Sequence, residues 1–132
     1  TIYPALKRLQ KTGLIVSAES NGKSVFQIQK RGTNALIEWL QSPITSEDIQ
    51  RRMSELILRF AFMDSLISKE IQIIFIQNLI LELKSYLQQL EQYYTTAQSM
   101  MGQAAQLAFE HGLATYRNDL QWAKRALKTL QV

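Results

Sequence analysis

The sequence predicts a mainly α-helical chain with one β-hairpin: a helix and the hairpin in the first quarter, then long helices to the end. Three observations carry this. Asn21-Gly22 sits between two β-prone runs, and a type I′ turn needs positive φ at both of its central residues. Apolar residues recur at three- and four-residue spacing from Ser46 almost to the last residue. The 132 residues include no cysteine, so no disulfide framework or thiolate zinc site organises the fold.

Residues 1–11 read as a helix ended by Gly13. Thr1 is a suitable N-cap, and Pro4 is tolerated in the first turn, where its missing N–H has no partner to lose. At about 100° per residue, Ile2, Ala5, Leu6 and Leu9 share one face. Tyr3, Pro4, Lys7, Arg8 and Lys11 share the other. One side is built to pack and the other to meet negative charge. The runs 14–20 and 23–28 then form the hairpin around Asn21-Gly22.

A short helix follows over 31–40, with Leu36, Ile37 and Leu40 at core spacing. Ser42-Pro43 ends it, since the residue before proline avoids the helical region. Thr45-Ser46-Glu47-Asp48 begins a new helix, with acidic residues in its first turn. Three helices are expected from there: 46–66, 68–101 and 103–130. The first turns Met53, Leu56, Ile57, Phe60 and Met63 inward. Gly102 separates the second from the third. Some 30 residues at ~1.5 Å each make the second helix a rod of ~45 Å. Its apolar stripe runs nearly end to end, so a second copy of the chain is the economical way to bury it.

Charge divides the chain sharply. Residues 1–31 hold six basic groups against Glu19 alone, while the remainder holds nine basic against ten acidic. A basic first quarter points to a polyanionic partner. A helix with one basic face followed by a hairpin is the second half of a winged helix-turn-helix. The major groove is ~12 Å wide and admits one such helix. The candidate DNA-binding residues are Thr1, Tyr3, Pro4, Lys7, Arg8 and Lys11 on the helix, with Asn21 and Lys23 at the wing tip. The fold class expected is therefore mainly α with one β-hairpin. It comprises a partial winged helix-turn-helix over residues 1–41 and an α-helical dimerisation domain over 42–132.

Thr1-Ile2-Tyr3-Pro4-Ala5-Leu6-Lys7-Arg8-Leu9, followed by Gly13-Leu14-Ile15, resembles the recognition-helix signature of the PadR family of bacterial transcription regulators. The resemblance extends through Gly32-Thr33-Asn34-Ala35-Leu36 and Glu38-Trp39-Leu40. It continues in residues 59–66 and 114–122, which are similar to that family's long C-terminal dimerisation domain. It implies a cytoplasmic homodimer that binds palindromic double-stranded DNA, usually as a repressor, and responds to a small aromatic effector. The chain departs from the family in carrying Gln29-Lys30 before the helix that follows the wing, and in having Lys23 alone near the wing tip. The resemblance also implies two helices ahead of Thr1, in ~35 further residues. Without them Ile2, Leu6, Leu9 and Leu14 forgo burial worth roughly 6–12 kcal/mol, so the 132 residues alone are expected to bind DNA weakly.

Trp39, Trp122 and Tyr116 are candidates for stacking a planar effector, with core or interface packing as the competing role. Tyr86, Tyr93 and Tyr94 share those alternatives. His111 is the one histidine and is expected at the surface or in packing. No run of residues forms a zinc-ligand set, a Ser/His/Asp set or a Gly-rich phosphate loop, so neither an enzyme nor a cofactor is expected. No apolar run approaches the ~18 residues of a membrane helix. The alternative reading is an α-helical dimer that binds a protein or a ligand and no DNA.

Overall fold

The computed structural model describes residues 15–20, 23–28 and 33–132, the first two stretches as backbone. It divides into two compact units. The first joins Thr1–Pro43 to Arg51–Ser68, and the second joins Ile44–Gln50 to Lys69–Val132. Residues 51–68, which the sequence groups with the helical second half, thus pack with the first unit.

In the first unit, β1 (Ile15–Ser20) and β2 (Lys23–Ile28) pair antiparallel, from Ile15↔Ile28 to Ser20↔Lys23. Helix α1 (Thr33–Leu40) follows and buries Leu36 and Leu40 completely, four residues apart on one face. Its end is closed locally. The Gln41 amide donates to the Ile37 and Glu38 carbonyls, and Ser42 returns both its amide and its hydroxyl to the Trp39 carbonyl. Further along the unit, α3 (Met53–Phe62) buries Leu56, Leu58 and Arg59, and the turn after it buries Met63 and Ile67.

The second unit begins at Ile44 and takes in α2 (Ser46–Arg51) as far as Gln50. The Thr45 amide donates to Asp48 Oδ2 at 2.9 Å, and the Asp48 amide donates to Thr45 Oγ1 at 3.2 Å. This reciprocal cap uses two of the N–H groups that a helix start leaves unbonded. Ile49 anchors the segment at 1% exposure. Helix α4 (Lys69–Ala97) then packs against α5 (Gln103–Leu130) as a long hairpin. Phe75, Ile76, Leu79, Ile80, Leu83 and Leu87 supply the core from α4, and Leu113, Leu120 and Ala123 supply it from α5. A 3-10 turn, Gln98–Met100, joins the helices. Gly102, in an extended conformation, caps the start of α5. Gln106 Nε2 donates to the Gln98 carbonyl at 2.9 Å and to the Met101 carbonyl at 3.0 Å, fastening that turn.

The fold class read from the sequence needs correction. Helix carries most of the described chain, and no winged-helix domain is assembled among the described residues. The expected recognition helix lies outside the described residues. β1 and β2 form a two-stranded sheet to which no third strand adds among those residues. A lone two-stranded ribbon is marginal by itself, so the burial that stabilises the described chain comes from helices. The expected single helix over 46–66 is also two. Arg52, at φ −131° and ψ 31°, breaks it. Ile49 on one side is buried in the second unit and Leu56 on the other in the first, so the two turns serve different cores. Among the described residues, no helix is long and apolar enough to cross a membrane.

Candidate DNA interface and aromatic cleft

Of the candidate DNA-binding residues, Thr1, Tyr3, Pro4, Lys7, Arg8, Lys11 and Asn21 lie outside the described residues. Lys23 opens β2, opposite Ser20. That register places its backbone at the closed end of the ribbon, next to the two-residue connection.

In the same compact unit, the C-terminus of α1 meets a residue that sequence reasoning missed. Arg59 is 4% exposed. Its Nη2 donates to the Leu40 carbonyl at 3.2 Å and to the Ser42 carbonyl. Its guanidinium carbon lies 5.8 Å from the centre of the half-buried Trp39 ring, within cation–π range. A signal was available: position 59 follows Leu56 by three and precedes Met63 by four, so an arginine there occupies the inward stripe.

The aromatic candidates do not form one site within either unit. Trp39 belongs to the first unit, and Tyr116 and Trp122 to the second. Tyr116 does line an apolar cleft of about 250 Å³ with Tyr86, Leu90, Ala108, Phe109, Gly112 and Leu113. Two of the lining rings, Tyr116 and Phe109, each pair with a tyrosine of α4. Tyr86 and Tyr116 meet edge-on at 5.0 Å and 80°. Tyr93 tilts against Phe109 at 5.9 Å. A Cβ added at Gly112 would meet no atom within 4 Å, so this glycine leaves the cleft floor open. Trp122, half-buried six residues beyond Tyr116, is not among the lining residues. Phe109 was missed as a wall residue. Its seven-residue spacing from Tyr116 matches that of Tyr86 and Tyr93 on the facing helix, and that match was the available sign.

The cleft's electrostatics follow from burial. The Tyr116 hydroxyl is pushed above the usual phenol range by burial first, then by its charge interaction and hydrogen bond with Tyr86, and by Asp119. Burial likewise raises the Asp119 carboxyl. Such a site suits an uncharged ring with a hydroxyl or similar group facing the two tyrosines. Among the described residues, no group of three or more His, Asp and Glu side chains stands where it could hold a metal ion. His111 is exposed.

No family model and no curated protein matches the chain. The structure of a PadR-like transcriptional regulator from Bacillus cereus does. It is 22% identical, and the match covers 98% of this chain and 74% of that one at a TM-score of 0.55. The two share a fold.

Proposed function

Starting from the fold shared with a PadR-like transcriptional regulator, we propose that this chain belongs to a bacterial, cytoplasmic regulator of the same kind that binds double-stranded DNA. The observation that carries the reading is the match over 98% of the chain. The gathering of basic residues in positions 1–31 supports it. In this reading Tyr3, Lys7, Arg8 and Lys11 face the major groove and Lys23 meets phosphate. A two-fold dimer occludes a palindromic operator, with half-site centres ~34 Å apart or a multiple of that.

The test is selection of duplexes from a random-sequence pool by the full natural protein, followed by affinity against salt. With 6–10 phosphate contacts, affinity falls ~10³–10⁵-fold between 50 and 200 mM salt. Lys7→Ala and Lys11→Ala each flatten that slope; a slope unchanged in both removes this helix from the interface.

Exposed apolar side chains support the dimer. Ile74 and Leu81 are 52% and 64% exposed and stand seven residues apart on α4, hence on one face. The aromatic cleft supports a small aromatic effector. Calorimetric titration with a monocyclic phenol tests this, with Tyr116→Ala expected to abolish the heat and Trp122→Ala to leave it. A protein that forms the dimer and binds the phenol, yet selects no duplex, is instead the ligand-carrying helical dimer.

A further inference from the structure

We propose that Arg59 is a positioning residue for DNA recognition: by holding the end of α1, it fixes how the hairpin is presented. The inference rests on the DNA-binding reading above.

The end of α1 has more carbonyls than local donors. Gln41 and Ser42 use those of Ile37, Glu38 and Trp39. The next residue, Pro43, has no N–H to offer. The Leu40 and Ser42 carbonyls therefore look to another element, and Arg59 of α3 donates to both. A cation at this end also meets the negative pole of the helix dipole. Arginine is rarely so buried, and the Trp39 ring beside it covers the guanidinium. Helix α1 and α3 belong to the same compact unit.

The geometry gives the clasp leverage. α1 has eight residues, a rigid rod of ~12 Å. One end is Arg59's, and the other begins five residues after the last residue of β2. A tilt of ~10° about the clasped end moves the far end by ~2 Å over that length. A displacement of that size is enough to break a hydrogen bond between the wing and DNA.

The experiment compares wild type, R59M and R59K as full-length proteins. Fluorescence anisotropy, well below the unfolding temperature, measures binding to two probes: a duplex selected by wild type from a random pool, and an unrelated duplex. Circular dichroism and light scattering follow fold and oligomeric state. R59M is expected to bind the selected duplex about tenfold more weakly, the loss of roughly one base contact. Binding to the unrelated duplex and the salt slope should stay as in wild type. R59K, which keeps the charge on a stem without the planar fork, should lose less, and it carries the test if R59M does not fold. Wild-type discrimination in R59K and in any folded R59M overturns the proposal. A salt slope reduced by about one overturns it too, since that marks Arg59 as a direct phosphate contact. If wild type selects no duplex, the DNA-binding reading fails first, and visibly so.

Discussion

Tyr94 lies flat on Phe109, with ring centres 4.9 Å apart and planes 5° from parallel. Phe109 also meets Tyr93, so one ring of α5 is shared by two of α4. No side chain of α4 beyond Leu87 is fully buried. These rings are therefore the main apolar tie near the far end of the hairpin. Each aromatic pair contributes ~0.5–1.5 kcal/mol beyond area burial. Phe109→Ala should cost about 1–3 kcal/mol on that basis, read as a lower midpoint in chemical denaturation.

The Tyr94 hydroxyl is shielded from solvent and faces the Glu110 carboxylate. Burial first, then the charge of Glu110 and a hydrogen bond with it, push the phenol above its usual range. Tyr94→Phe keeps the stack and removes the tie to Glu110, so its thermal midpoint should fall below that of wild type. An equal or higher midpoint would show that the hydroxyl gains nothing from Glu110.

Asp119 supplies a pH dependence. Burial raises its carboxyl above the usual carboxylate value, so the folded chain keeps this proton to higher pH than the unfolded chain does. Stability from this group is therefore greatest at acid pH and falls as pH rises through the window between the two values. Asp119→Asn should be more stable at neutral pH and give a flatter profile, measured by denaturant unfolding from pH 4 to 8.

Gly112 stands inside α5 with open space where a Cβ would go. Glycine within a helix costs ~0.5–1 kcal/mol relative to alanine. Gly112→Ala should recover that amount. Gly112→Leu should fill the cleft floor and remove phenol binding while the hairpin stays folded, so a titration heat equal to wild type would place the ligand elsewhere.

Leu81 and Leu83 form a contrast two residues apart. Leu83 is fully buried, and Leu81 is 64% exposed. Leu83→Ala should destabilise by ~2–5 kcal/mol, the usual cost of an emptied core site. Leu81→Lys should leave each chain folded and lower the mass seen by light scattering. An unchanged mass excludes this face from the dimer.

Much of this helical layout was legible in local chemistry. Ser42-Pro43 marks the end of α1, Thr45 with Asp48 marks the start of α2, and Gly102 marks the turn into α5. Each signal acts through one or two neighbouring residues, so the sequence displays it directly. The break at Arg52 has no such marker. It arises because Ile49 and Leu56 are drawn into different cores, and periodicity reports which face is apolar without saying what covers it. The same limit separated Trp39 from Trp122 and Tyr116. Arg59 was hidden for a related reason: a long cationic side chain reads as surface until the carbonyls it serves, 17 and 19 residues away, are in view.

The fastening of the α4–α5 turn has a practical corollary. Gln106 holds two carbonyls there through a neutral amide, an interaction that mobile ions do not screen and acid does not titrate. The fastening of this turn is thus insensitive to ionic strength, whereas charges gathered in residues 1–31 are open to screening. Raising the salt should therefore leave the turn between α4 and α5 fastened even where exposed ion pairs such as Arg117–Glu91 weaken.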